Sequence, residues 1–341
     1  MTTNQPKVIF FIGIGGIGMS ALARYYLALG CKVFGYDKTR SDLTDSLTQE
    51  GAVISYDDVW QENECFSKES TLVIYTPAVS LENAWYRQFK SLGYHVLKRA
   101  QALGEITRNS NGLCVAGTHG KSTTSAMLAF LLNDTELGCS AFLGAIATNF
   151  GNNFLINPRS KYTVIEADEY DNMFHGLTPQ IAIITSVEFD HPDFFKTPDD
   201  LIQSFTHFVA QLSDDGLLIC CIDDPLTQSF AQKRHDLGLP VITYGFNSAA
   251  DWCAINIRYE NNKTLYDVIV NDTVSGTVTL ESPGKHNILN SLAALIVADV
   301  YGVIFEDSSQ ALSTFKGTGR RFDVRAEIND IIVVDDYAHH P

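Results

Sequence analysis

An α/β protein of more than one domain is the fold class this sequence predicts, and three observations predict it. Short unbroken apolar runs end in glycine, helix-spaced apolar residues follow those glycines, and one late region alternates apolar with polar residues. Residues 8–12 are the first such run and read as a buried parallel strand. From 19 to 29 apolar residues recur at helical spacing, with Gly30 as a C-cap. A second strand at 33–36 stops at Asp37, and a further run at 72–75 meets the turn Thr76-Pro77. Strand, helix and strand within about thirty residues open a βαβ unit, and residues 1–108 are assigned to this first domain.

The polar break Arg108-Asn109-Ser110-Asn111-Gly112 precedes a new strand at 113–116, a glycine-rich turn and a helix over 121–132. Further strands are predicted at 162–165, 181–184 and 217–221, with a helix over 199–212 before the last. Residues 252–280 alternate around Asn261-Asn262 and Asn271-Asp272, the residue types of tight hairpin turns, so antiparallel strands extend the parallel sheet. Helical spacing resumes at 287–300 and 308–315, and the second domain is placed at 109–318. The run at 331–334 has the composition of a buried strand but lacks the crossover and neighbours that a parallel strand needs. Residues 319–341 are therefore expected to be a linker and the opening strand of a third, truncated domain.

Composition narrows the function. The 341 residues carry a net charge of −16, which argues against a nucleic-acid partner, since phosphate backbones are held by clustered positive charge. A phosphorylated ligand must then be gripped locally, by backbone amides and a few cations. Hydrophobic residues make up 45% and charged residues 19%, a globular balance, and no apolar run approaches the roughly 20 residues of a membrane helix. Residues 1–7 lead straight into the apolar run at 8–12 without the basic start and cleavage site of a signal peptide, so none is expected. Seven scattered cysteines, none in a C-x-x-C pair, read as buried free thiols in a reducing cytosol.

Two glycine loops carry the chemistry. Gly13-Ile14-Gly15-Gly16-Ile17-Gly18 satisfies G-x-G-x-x-G between a strand and a helix, where a diphosphate meets the helix N-terminus, and Asp37 stands where an acidic residue bonds a ribose hydroxyl. Read alone, this pattern points to NAD, or to a glycine turn serving tight packing. Gly117-Thr118-His119-Gly120-Lys121-Ser122-Thr123 also lies between strand and helix and matches the end of a P-loop. Its amides would hold phosphates, Lys121 would reach the terminal phosphates and the Ser122 hydroxyl would bind Mg²⁺. Val115 stands where the full pattern has glycine, so the loop is tighter than usual. Glu166-Ala167-Asp168-Glu169-Tyr170-Asp171 and Asp190-His191-Pro192-Asp193 each follow a predicted strand and offer oxygen ligands and an imidazole to a cation. Asn287 and Asn290 open a helix after Gly284-Lys285-His286; Arg320-Arg321 could clamp a phosphate; His339 and His340, being adjacent on an extended chain, point apart.

Taken in order, the segments at 13–20, 117–123, 166–171, 188–193, 284–290, 319–322 and 335–341 resemble the Mur ligases of bacterial peptidoglycan synthesis over the whole chain. The resemblance implies a Rossmann-like UDP-binding domain, a P-loop-type central ATPase domain and a Rossmann-like third domain. It implies ATP and Mg²⁺ as cofactors, and formation of an acyl phosphate that an amine then attacks. By motif, Gly13, Gly15, Gly16 and Gly18 would hold UDP rather than NAD. Gly117, Thr118, Gly120, Lys121, Ser122 and Thr123 would hold ATP, with Lys121 on the β/γ-phosphates. Ser122, Glu166 and His191 would ligate Mg²⁺. Asn287 and Asn290 would serve adenine, Arg321 the phosphates and Asp335 the ATP ribose, with His119 and Asp168 on the substrate side.

The motifs are most similar to the branch that adds L-alanine to UDP-N-acetylmuramate, as a monomer or a homodimer. The tripeptide-recycling branch is the alternative, but the short interval between Glu166 and His191 lacks that branch's insertion. Ser122 replaces the more usual Thr and keeps the hydroxyl. No lysine lies between Lys196 and Lys233, so the carbamylated lysine of sibling ligases is not expected. Residues 1–341 alone are expected to bind without turning over, because amine capture needs a third domain to close over the site.

Overall fold

A computed structural model describes residues 6–261, 263–319, 323–328 and 331–336. The chain divides into two compact units, Met1–Ile106 and Thr107–Pro341. The first contains β1 (Val8–Ile12), α1 (Ile17–Ala28), β2 (Lys32–Tyr36), α2 (Asp42–Gln49), β3 (Val53–Ser55), β4 (Thr71–Tyr75), α3 (Ala84–Ser91) and β5 (His95–Lys98), and α4 (Arg99–Arg108) starts in it. Its sheet is wholly parallel, in the order β3-β2-β1-β4-β5. The unbroken apolar run of β1 follows from this, because every residue from Val8 to Ile12 is buried between two covered faces. The chain leaves β1 in one direction to build β2 and β3, then returns to the other side for β4 and β5. The glycine loop after β1 thus sits at the topological switch point, where open α/β sheets bind ligands.

One face of this sheet is closed by an aromatic cluster. Phe89 of α3 is fully buried and meets the rings of Phe10, Trp60, Phe66, Trp85 and Tyr94 at centroid distances of 4.8 to 6.5 Å. On the other side Arg24 of α1, itself buried, pairs with Glu50 just after α2 at 2.9 Å.

The second unit begins with β6 (Asn111–Ala116), α5 (Lys121–Asn133), β7 (Ser140–Ala147), β8 (Asn152–Leu155) and β9 (Tyr162–Glu166). A 3-10 segment, Tyr170–Gly176, leads to β10 (Pro179–Ile184), α6 (Pro198–Ala210), β11 (Leu217–Cys221), α7 (Pro225–Asp236) and β12 (Val241–Gly245). Then come β13 (Trp252–Glu260), β14 (Lys263–Val270), β15 (Thr273–Leu280), α8 (Lys285–Val300) and α9 (Phe305–Leu312). Ten strands form one mixed sheet in the order β15-β14-β13-β12-β11-β10-β6-β9-β7-β8. Its centre is parallel, and the expected antiparallel additions are β13, β14 and β15. Asn271 and Asp272, at φ 47° and 64°, make the β14–β15 turn that their residue types indicated. α5 and α8 bury apolar side chains in the same core as the central strands, including Leu128, Leu131, Leu292 and Ile296.

Three expectations need correction. The helix placed at 308–315 runs instead over Phe305–Leu312, starting with Glu306 and Asp307, whose charges suit a helix N-terminus. The hairpin β7–β8 was not foreseen, since its strands carry small and polar residues and little alternation. The run at 331–334 is not a buried parallel strand. It lies in β17 (Ile331–Asp335), which pairs antiparallel with β16 (Asp323–Ile328), and Ile331 and Val333 are half or more exposed. A strand with an antiparallel partner needs no crossover, and apolar composition alone could not distinguish the two cases. All seven cysteines are free and five of them are buried. Among the described residues no helix is long and apolar enough to cross a membrane.

Phe89→Ala should cost about 3–5 kcal/mol, the range for emptying a buried aromatic position. Trp60 and Trp85 lie in the same cluster, so the denaturant midpoint of tryptophan fluorescence reads that loss directly.

Candidate nucleotide and metal site

β6 lies between β9 and β10, parallel to both. The loops that follow these three strands therefore leave the sheet at one edge, and they contain the three motifs that the sequence singled out. Gly117 and Gly120 bracket the first loop, at φ 132° and 84°. A Cβ on Gly117 would collide with the Thr185 hydroxyl and lie 2.9 Å from Ser186 backbone atoms; one on Gly120 would lie 2.6 Å from Asn290 Oδ1. Close approach from β10 and from α8 thus fixes the loop. Gly120 is the N-cap of α5, which has no side-chain cap and no acidic residue in its first turn. Its first-turn amides are suited to an anion.

Lys121 turns back over this loop. Its Nζ donates to Gly117 O at 2.6 Å, to Thr118 O at 3.3 Å and to Glu169 Oε1 at 2.9 Å, and its side chain is only 13% exposed. The Ser122 hydroxyl donates to Glu166 Oε1 at 3.0 Å, while Gly144 N–H donates to Glu166 Oε2 at 2.8 Å. Burial raises the Glu166 pKa above the ordinary carboxylate value, although Lys121 and the Gly144 amide oppose the shift. Glu169, 1% exposed, behaves oppositely. Burial pushes it up, but Lys121 and His191 outweigh burial and hold it below the ordinary value. His191 Nε2 is 3.7 Å from Glu169, and that carboxylate raises the imidazole pKa.

Thr118, His119, Thr123 and Asp168 lie on or beside the same loops, and Asn287 and Asn290 on α8. Thr118 is buried; its N–H donates to Ser186 O, and its hydroxyl exchanges hydrogen bonds with the Glu188 backbone at 2.9 Å in each direction. His119 N–H donates to the Ser186 hydroxyl at 3.2 Å, and its ring lies 3.3 Å from Glu188. Thr123 is half-buried in the first turn of α5. Asp168 accepts from the Tyr170 amide at 3.1 Å. Asn290 is buried and accepts from the Thr124 hydroxyl, so it braces the loop from α8; Asn287 donates to Pro283 O at 2.7 Å. Asp335 ends β17, half-buried, and Arg321 lies outside the described residues, as do His339 and His340.

The donor set fits Mg²⁺ that arrives with a nucleotide. Among the described residues no group of three or more His, Cys, Asp or Glu side chains could hold a metal ion alone. Ser122 and Glu166 supply adjacent hard oxygens, and Mg²⁺ characteristically completes its shell with phosphate oxygens and water. His191, expected to ligate a second Mg²⁺, lies 3.7 Å from Glu169 and 3.9 Å from Asp190.

In the first unit, Gly13, Gly15, Gly16 and Gly18 follow β1. Asp37 Oδ2 accepts from Gly15 N–H at 2.7 Å and Oδ1 from Thr39 N–H at 3.0 Å, so it braces the glycine loop. α1 also lacks a side-chain cap and first-turn acids. The Arg99 guanidinium occupies the space that a Cβ on Gly18 would need. Sequence reasoning missed both Arg99 and Glu169. Arg99 had one available signal, a basic residue directly after a strand; Glu169 was hidden among three other carboxylates.

Comparisons with known proteins converge on one family. Residues 8–111 match the Mur ligase family catalytic domain and residues 115–298 the Mur ligase middle domain. The chain is 44% identical to the UDP-N-acetylmuramate–L-alanine ligase of Parabacteroides distasonis, covering all of this chain and 73% of that protein. It is 40% identical to the ligase of the same name from Phocaeicola vulgatus, covering all of this chain and 74% of the other. Among solved structures, the UDP-N-acetylmuramate–alanine ligase of Thermotoga maritima superposes with a TM-score of 0.84 at 27% identity, over 97% of this chain and 74% of that one. The UDP-N-acetylmuramate:L-alanyl-gamma-D-glutamyl-meso-diaminopimelate ligase of Neisseria meningitides gives 0.83 at 28%, over 92% and 100%.

Gly117→Ala should destabilise the second unit by about 2 kcal/mol or more, through a left-handed backbone and a collision with Thr185 together. A thermal melt followed by circular dichroism measures it, and Gly16→Ala, where a Cβ finds ordinary contacts of 3.6 Å or longer, serves as the mild control.

Proposed function

This chain belongs to the Mur ligase family of ATP-dependent amide-forming ligases, and from that premise we propose that it joins L-alanine to the lactyl carboxylate of UDP-N-acetylmuramate in peptidoglycan precursor synthesis. The observation that carries the proposal is the triad of Lys121, Ser122 and Glu166 at an amide-lined loop, in a chain 44% identical along its length to a ligase of that name.

A carboxylate is a poor acceptor for an amine. Its oxygen attacks the γ-phosphoryl group of ATP, forming a C–O–P linkage as ADP leaves. The α-amine then attacks the acyl carbon, a C–N bond forms, the C–O bond breaks, and phosphate departs. Each step builds negative charge on phosphoryl or carbonyl oxygens, which fixed dipoles and cations stabilise. The Gly117–Gly120 amides and the first turn of α5 orient the β- and γ-phosphates. Lys121 offsets their charge. Ser122 and Glu166 would hold Mg²⁺, which when bound adds Lewis acidity at the phosphoryl oxygens. His119 and Asp168 would face the reacting carboxylate and amine. The loop Gly13–Gly18 grips the UDP diphosphate against α1, with Asp37 as its brace. Asn287 and Asn290 set α8 beside the adenine; Arg321 and Asp335 would approach the phosphates and the ATP ribose.

A tripeptide in place of L-alanine is the competing amine, because the Neisseria ligase is nearly as similar in fold. The expected setting is the cytoplasm, as a monomer or homodimer. Residues 1–341 by themselves are expected to bind both nucleotides and to release no L-alanine-dependent phosphate.

Calorimetry separates the two loops. Lys121→Ala should abolish Mg·ATP binding, a loss of about 100-fold or more, while UDP-N-acetylmuramate affinity stays within about twofold. Equal loss of both ligands would show that the loops are not separate sites. Phosphate release with the tripeptide and none with L-alanine in a longer chain would assign the recycling reaction instead.

A further inference from the structure

Glu169 belongs to none of the roles assigned above, yet it has the most constrained surroundings of any carboxylate at the site. It is 1% exposed, pairs with Lys121 Nζ at 2.9 Å and lies 3.7 Å from His191. The three hydrogens of Lys121 are committed to Gly117 O, Thr118 O and Glu169. The two carbonyls belong to the phosphate loop itself and travel with the lysine. Glu169 arrives from a different strand connection and is the one partner that a phosphate oxygen can replace.

The chain holds Glu169 firmly. Beyond Tyr170, Asp171 and Asn172 sit in the left-handed region at φ 53° each, and Asn172 accepts a hydrogen bond from the Ser204 hydroxyl of α6. Two residues further on, Phe174 is fully buried and stacks on Phe208 at 4.7 Å. Tyr170 packs its ring edge-on to His191 at 5.2 Å and donates its hydroxyl to Asp193 at 2.9 Å. The dipeptide Glu169-Tyr170 thus grips His191 from two sides while its carboxylate holds the lysine.

We propose that Glu169 is a specificity-determining residue that makes nucleotide binding depend on a divalent cation, by occupying Lys121 until a metal-bound triphosphate displaces it. The proposal rests on the assignment of Lys121 to the ATP phosphates. A bare triphosphate entering the loop meets two carboxylates, Glu166 and Glu169, and a lysine already neutralised. A triphosphate that brings a divalent cation to Ser122 and Glu166 offsets that repulsion, and Lys121 exchanges Glu169 for phosphate.

The test measures ATP affinity of residues 1–341 by calorimetry, once with Mg²⁺ and once with EDTA. Glu169→Gln should tighten metal-free ATP by about tenfold and leave Mg·ATP within about threefold, so that the metal dependence shrinks. Retained Mg·ATP binding also shows that the variant folds. Glu169→Asp, whose shorter side chain slackens the same contact, should move metal-free binding in the same direction by about threefold. In a Lys121→Ala background, Glu169→Gln should bring no gain. Unchanged or weaker metal-free binding in both single variants overturns the proposal, as does a full gain without Lys121. If the wild-type chain binds ATP in neither condition, the assignment of the loop itself fails and takes this proposal with it.

Discussion

The constraint behind the second unit is charge compensation at one edge of a parallel sheet. Because β9, β6 and β10 run side by side in the same direction, their following loops cannot avoid one another. Carboxylates, imidazoles and the single lysine of the phosphate loop are therefore concentrated at one edge, with Glu169 and Lys121 the most sheltered from water. Glu169 and Lys121 neutralise each other there. Burial of either charge alone would cost several kcal/mol. Burial holds the Glu166 proton more tightly than usual, and Lys121, the Gly144 amide and Ser122 compensate only in part. Two carboxylates three residues apart thus have opposite tendencies, set by which of them faces the ammonium.

The first unit solves a similar problem with backbone rather than side chains. Its glycine loop and the N-terminal end of α1 carry partial positive charge without an acidic side chain in the helix's first turn. Asp37 anchors the loop from the neighbouring strand, and Arg99 adds a full positive charge beside Gly18. The net charge of −16 is compatible with anionic ligands for this reason: attraction is built over a few ångströms and does not depend on the overall field.

Legibility in the sequence followed the strength of the local rule. β1, β6, β9, β10 and β11 were readable because burial on both faces demands unbroken apolar runs. The loops at 13–18 and 117–123 were readable because backbone approach demands glycine in a fixed rhythm. The β14–β15 turn was readable from Asn271 and Asp272. Short edge strands such as β3 and β8 were not, since three or four residues of mixed character carry no period. Glu169 could not be separated from Glu166 and Asp168, because only the turn into the left-handed residues Asp171 and Asn172 decides which carboxylate swings toward Lys121. The hydrogen bond of Asp37 to Gly15 depends on the distance between two loops, which no spacing along the chain reports. The strand at 331–334 failed for the complementary reason: its composition suits a core, and its surroundings are solvent.

That last element has a practical consequence. The β16–β17 ribbon presents Ile328, Ile331, Val333 and Val334, and among the described residues its outer strand edges have no neighbour in the sheet. Such a ribbon is adhesive, toward detergent micelles, column matrices and other copies of the same polypeptide alike. For residues 1–341 taken by themselves, sedimentation or light scattering is expected to report association that grows with concentration and fades with mild surfactant, a property of the bare ribbon and not of the nucleotide sites.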